Sequence, residues 1–277
     1  MASQAGEEQP EEDLPAPAPI DQTPPQQQQT PPQQQQAPAT TQQQQSRRQF
    51  PLTFNMYLDS RCGRQRRYVI GEHQPTPLYA VTTHPPSNLV LHSGPGDDSP
   101  PLAAIYQSQY GSTSTVTLPP LDVLPAPDNA RIATLLKIEG GGSFSPTYTF
   151  TLETGGAGSH LEAFQWRHSS GAEVRALDDR GNGHGWKLVR LAPDAPAPRG
   201  ATFASDGREV VAAWKWPSIS QIMTKKFMFR FLGTGASGTL GERWALMAVA
   251  SALKIWDFEN KRAVYVPPSG GVSGGGA

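Results

Sequence analysis

TLGERWALMAVASALKIWDF, residues 239–258, is the stretch whose reading decides the fold. Thr239 followed three residues later by Glu242 has the form of a capping box, so the spacing predicts a helix over residues 240–258. Between Trp244 and Leu253 there is no charged residue, and Trp244, Leu246, Met247, Val249, Ala250 and Leu253 spread apolar groups around the whole circumference. A helix that is apolar on every face has to be enclosed on every face. The run falls short of the about 20 apolar residues that a bilayer requires, and Arg243 and Lys254 close it at either end, so the helix is not expected to be transmembrane. The remaining chain must supply a wrapping.

That wrapping is legible upstream. Residues 225–232, KKFMFRFL, place Phe227, Phe229 and Phe231 on one face and Met228 and Arg230 on the other, as a strand with an inside and an outside does. The glycine-rich link 233–238 lets the chain turn sharply from this strand into the helix. Further runs with period-two alternation occupy 50–58, 66–70, 77–83, 88–92, 101–107, 112–118, 131–138, 146–152, 161–168, 172–177, 185–191 and 209–214, separated by Gly, Pro, Asn and Asp. This is the spacing of an all-β sandwich or barrel. With one long helix to enclose, the expected fold is mainly β: a closed antiparallel barrel of about twelve strands around a central hydrophobic C-terminal helix, closure also removing exposed edges.

The two ends of the chain read differently. Residues 1–49 are dominated by Pro and Gln, with TPPQQQQ repeated in tandem at 23–29 and 30–36, and Leu14 and Ile20 as the only large aliphatic residues. Such a composition cannot bury enough surface to offset the entropy of ordering, so a disordered leader is expected, with Pro15, Pro17 and Pro19 available to SH3- or WW-type grooves. Residues 267–277, PPSGGVSGGGA, form a flexible tail, which leaves 50–266 for the barrel. The leader also disguises the charge. Of the 24 acids, Glu7, Glu8, Glu11, Glu12, Asp13 and Asp21 lie in it, and the remaining 18 face 23 Lys and Arg residues, all from Arg47 onward. The barrel is thus mildly basic, suited to an anionic surface; no zinc-finger, helix-turn-helix or RNP pattern accompanies the charge to suggest nucleic acid.

Cys62 is the only cysteine, which excludes an intramolecular disulfide, and no signal-peptide pattern opens the sequence. An intracellular protein, cytoplasmic or nuclear and peripheral at membranes, is expected.

The segments YLDSRCG (57–63), RRYVIG (66–71), FQWRHSSG (164–171), WKLVR (186–190), DGREVVAAWKW (206–216), FRFLGTG (229–235) and GERWALMAVASALKIW (241–256) follow one another in an order and character that resembles the tubby C-terminal-like superfamily, which holds tubby, phospholipid scramblase and LURP-one-related proteins. The resemblance spans about residues 50–266 and identifies the chain as a divergent member. It implies a barrel of about twelve strands threaded by a hydrophobic helix, and, as in tubby proteins, a basic pocket for phosphoinositide headgroups.

Local motifs supply the candidate chemistry. Arg61, Arg64, Arg66 and Arg67 cluster in a predicted hairpin, and Lys225 and Lys226 open a later strand; guanidinium forks suit phosphate, so these six are the candidate lipid-binding residues. Residues 233–238 also spell G-x-G-x-x-G between a strand and a helix, the dinucleotide fingerprint. Against it stand the charged Arg230 in the preceding strand, the acids Asp257 and Glu259 that come before the next expected strand, 262–266, rather than at its end, and the lack of further βα units. The six histidines include no i, i+4 pair, a lone cysteine makes no zinc site, and 177–183 (LDDRGNG) reads as a hairpin turn rather than a calcium loop, so neither a metal nor another cofactor is expected. Neither G-x-S-x-G nor another nucleophile motif occurs, and no catalytic residues are assigned. The expected function is a non-enzymatic module binding anionic phospholipid headgroups, phosphoinositides in particular; a protein-interaction adaptor working through the leader is the alternative.

Overall fold

The computed structural model describes residues 49–59, 66–108, 112–119, 132–138, 146–155, 160–178, 183–192, 197–218 and 220–265. The leader with its proline motifs, the tail, and Arg61, Cys62 and Arg64 lie outside the described residues. In chain order the elements are β1 (Thr53–Leu58), β2 (Arg67–Gly71), β3 (Tyr79–His84), β4 (Asn88–His92), β5 (Pro101–Gln107), β6 (Thr113–Thr117), β7 (Ile132–Ile138), β8 (Thr147–Thr154), β9 (His160–Ser169), α1 (Ala172–Arg175), β10 (Gly185–Arg190), β11 (Thr202–Phe203), β12 (Glu209–Lys215), β13 (Lys225–Phe231), α2 (Gly233–Ser237) and α3 (Glu242–Tyr265).

Each strand from β1 to β10 pairs antiparallel with the next in sequence; β10 then pairs with β12, β12 with β13, and β13 with β1. Twelve strands therefore form a ring, and β11 adds only a two-residue flap on β12. Alternation along the strands assigns inside and outside. Tyr148, Phe150 and Leu152 of β8 point into the core, while Thr147, Thr149 and Thr151 point out. β6 does the same, turning Thr113, Thr115 and Thr117 outward. A barrel that spans a membrane carries an apolar belt on its outside, the reverse of the threonine-lined outer faces of β6 and β8.

α3 fills the lumen. Trp244, Leu246, Met247, Val249, Ala250 and Leu253 are all at most 1 % exposed, and so are Ala248, Ala252 and Ile255. Around it the wall contributes Phe54, Phe164, Trp166, Phe227, Phe229 and Phe231. Full burial of such side chains contributes about 1.5 to 3 kcal/mol each, so enclosure of the helix is a dominant stabilising term. Among the described residues no helix is long and apolar enough to cross a membrane.

Several local expectations are corrected. The helix begins at Glu242 rather than Leu240, and the capping box does not form. Gly238 and Gly241, with φ of 80° and 89°, turn the chain on either side of Thr239, so the Thr239 hydroxyl meets Ser237 and the Glu242 carboxylate accepts the Gln49 N–H instead. The helix runs on to Tyr265, through most of the strand expected at 262–266. Glu259, Lys261, Arg262 and Ala263 favour helix, and Lys261 pairs with Asp257 at 2.8 Å across one turn. Residues 172–177 are not a strand: they hold the short helix α1, capped at Gly171, and Val174 plugs an outer cluster with Leu177 and Ala213. The glycine-rich link after β13 likewise forms a short helix, α2, closed by Gly238 in the left-handed conformation.

Candidate functional site

Strand direction brings together at one mouth of the barrel what lies far apart in sequence. β1 ends there at Leu58, opposite the start of β2, and Tyr57 lies across from Lys225 at the start of β13. β3 ends and β4 begins at the same mouth, where Arg67 faces Thr82 and His84 faces Asn88. α3 leaves the lumen here: the Trp256 ring meets Tyr68 edge-on at 5.1 Å, its indole N–H donates to the Lys226 carbonyl at 3.0 Å, and the Lys254 ammonium donates to the Ser87 carbonyl.

Of the candidate cations, the described ones separate into two groups. Arg66 is exposed and its charge acts on the hydroxyl of Tyr68; Lys225 and Lys226 are half-buried across the mouth from it, Lys226 donating to the Ile222 carbonyl. Burial holds the Tyr68 hydroxyl above its ordinary range, and the Arg66 charge only partly offsets this. Arg67 points the other way. Alternation puts it on the outer wall, where its guanidinium contacts Asp59 at 3.3 Å, Asp97 at 3.0 Å and the Pro95 carbonyl at 2.6 Å. It clamps the β4–β5 loop to the end of β1. Arg66, Lys225 and Lys226 thus lie at one mouth, and Arg67 differs from them in being committed to acids on the outer wall.

The mouth also carries cations that the sequence reading missed. Lys254 has no exposed surface, lies 3.7 Å from Asp257 and stands 4.4 Å from the Phe258 ring centre. Burial lowers its pKa from 10.5 to about 8 against the opposing pull of Asp257. Lys261, half exposed, donates to Asp257 and to the Ser87 hydroxyl. Residues 254, 257, 258 and 261 share one helical face, a signal legible only once the helix is carried past residue 258.

Three described carboxylates near this mouth are paired and withdrawn from solvent. Asp59 is held by Arg67, Asp257 by Lys254 and Lys261, and Asp178 by Lys215 at 2.8 Å. Among the described residues, the charge this end turns toward water is cationic at Arg66, Lys225, Lys226 and Lys261, beside the half-buried Glu259 and the exposed Asp97 that Arg67 pairs.

The dinucleotide motif resolves differently. β13 is antiparallel to both neighbours, and the start of α2 is occupied by the chain's own carboxylate: Glu209 accepts the Thr234 N–H at 2.7 Å and its hydroxyl at 2.9 Å. Gly233 and Gly235 are required by close packing, since a Cβ at Gly235 would lie 2.3 Å from the Val211 carbonyl oxygen. Glu209 belongs to a buried network in which Arg190 forks onto Glu162, which also accepts from Thr154 at 2.6 Å. Burial alone would raise the Glu162 pKa, yet the Arg190 and Thr154 hydrogen bonds with the charges of Arg190 and His160 hold it below its usual value. Among the described residues no three His, Cys, Asp or Glu side chains converge as metal ligands would. No family model, curated protein or solved structure matches this chain.

Proposed function

We propose that the protein is a non-enzymatic barrel module that binds anionic membrane lipid, phosphoinositide in particular, with the mouth from which α3 emerges. The observation that carries this reading is the placement of Arg66, Lys225 and Lys226, from two distant segments, at a mouth where Asp59, Asp178 and Asp257 are buried and paired. The resemblance of the chain to the tubby-like group, with its headgroup-binding members, supports the same reading. Arg67 is excluded from the lipid-binding set, because its guanidinium already serves Asp59 and Asp97.

Magnitudes define how such a module behaves. A basic side chain near an anionic leaflet contributes about 1 kcal/mol, so three or four of them give weak, reversible attachment that salt screens. The test is co-sedimentation of the full chain with neutral vesicles and with vesicles containing phosphoinositide, at low and moderate salt. Binding only to the anionic vesicles, lost in Arg66→Glu/Lys225→Glu at an unchanged melting temperature, is the expected result. Equal binding by that variant would overturn the assignment of these residues, and no binding by the natural chain would overturn the lipid reading itself.

A further inference from the structure

Met223 is 82 % exposed and Ile222 43 % exposed, at the tip of the loop that joins β12 to β13. An isolated exposed apolar residue is ordinary on a protein surface. This pair is set apart by how it is held and by what stands beside it. The Gln221 N–H donates to the Ser218 carbonyl at 2.8 Å, and the Gln221 carbonyl accepts from the Thr224 and Lys225 N–H groups at 3.0 and 2.9 Å and from the Thr224 hydroxyl at 3.1 Å. The Lys226 ammonium caps the Ile222 carbonyl. The turn thus meets much of its hydrogen-bonding demand internally, as backbone entering a medium poor in water must. Its base is fastened to the central helix by the hydrogen bond from Trp256 to the Lys226 carbonyl. Immediately behind the tip come Lys225 and Lys226, with Arg66 across the mouth.

An apolar tip backed by cations is the charge pattern of a segment that dips into the boundary between headgroups and acyl chains while its bases meet the headgroups. Weak electrostatic attachment needs a second signal to become stable. We infer that the Ile222–Met223 turn is a membrane wedge: in the bound state these two side chains enter the acyl boundary of an anionic bilayer while Lys225, Lys226 and Arg66 lie at headgroup level. The inference rests on the lipid-binding reading above and adds the depth, orientation and salt response of the bound state.

The test uses the full chain in a Cys62→Ser background, with a polarity-sensitive fluorophore placed by Met223→Cys and, as a control, by Leu161→Cys, a residue 67 % exposed at the start of β9 and so at the opposite mouth. On phosphatidylcholine vesicles containing phosphoinositide, the label at 223 should shift to the blue and be quenched by spin labels placed high on the acyl chain, and the label at 161 should do neither. In the unlabelled chain, Ile222→Ser/Met223→Ser should lower vesicle affinity at least about tenfold at moderate salt without changing the melting temperature or the salt dependence. Vesicle binding with neither quenching at 223 nor an affinity loss in the double variant would overturn the wedge and leave headgroup binding standing. Failure of the natural chain to bind any vesicle would overturn both. Quenching at 161 instead of 223 would place the membrane at the wrong mouth and overturn the wedge.

Discussion

Ser251 is fully buried in the lumen, where its hydroxyl accepts the indole N–H of Trp166 at 2.9 Å and donates to the Ala248 carbonyl at 3.1 Å. Ser251→Ala leaves the tryptophan donor unpaired inside the barrel, a loss of about 1 to 3 kcal/mol that urea unfolding of the variant and the natural chain should register as a lower midpoint at equal slope. Lys254, one turn further along, makes stability depend on pH in the alkaline range. Its folded pKa of about 8 lies below the unfolded 10.5, so between these values the unfolded chain binds the proton and the folded chain does not. Stability therefore rises with pH from 8 upward, recovering roughly 3 kcal/mol at most. Above pH 10 the buried hydroxyls of Tyr57, Tyr68 and Tyr79, all held above their ordinary value of 10.0, act in the opposite direction, so the informative window closes there. Lys254→Met should abolish the rise between pH 8 and 10; a rise that persists in the variant would assign it to other groups.

Among the elements, the joint between β9, β10 and β12 at the opposite mouth depends on charge. Arg190 holds Glu162 and stands 3.9 Å from Glu209, and all three side chains are at most 8 % exposed. Arg190→Met removes the cation from two buried carboxylates and should cost about 3 to 5 kcal/mol, readable as a large drop in melting temperature. The same joint sets part of the acid response. Because the folded pKa of Glu162 is lowered beneath its 4.5 reference, its contribution is complete above that pH and is lost as the pH falls through the folded value. In Arg190→Met that loss should be absent, giving a flatter stability profile below pH 4.5. The end of α3 obeys similar local rules. Helix-favouring residues and the pair between Asp257 and Lys261 carry it beyond Phe258, which β-branched and aromatic residues near residue 265 had disguised as a strand.

For the whole molecule, enclosure implies cooperativity. The amides between Trp244 and Ile255 are surrounded by a ring of twelve paired strands, so they can exchange only when the ring opens. Native-state hydrogen exchange should give these amides one common free energy equal to that of global unfolding, with lower values for the β11 flap. A distinctly lower value along α3 would mean that the helix can leave a closed barrel. The two mouths differ in character: one is bound by the network of Glu162, Arg190 and Glu209, and the other presents cations and the Ile222–Met223 tip. This asymmetry gives the proposed membrane contact a direction, with α3 ending toward the lipid.

The amino-acid sequence by itself determined the enclosed helix and the alternating wall, because hydrophobic periodicity acts within a few residues and an all-apolar cylinder has few packing solutions. Phe227, Phe229 and Phe231 face inward as their spacing requires, and Arg230 faces outward to Thr53. Residues 172–177 and the Thr239 cap could not be read correctly, since alternation over a few positions does not separate a strand from a helical turn, and a left-handed glycine can cancel a capping motif. The candidate site was legible only as two separate basic clusters. Tertiary structure decided that Arg66, Lys225 and Lys226 share a mouth, that Arg67 is committed to Asp59 and Asp97, and that Lys254 and Lys261 neutralise Asp257. Pairing between charges depends on strand register and on the direction each side chain faces, and these are set only when the ring closes.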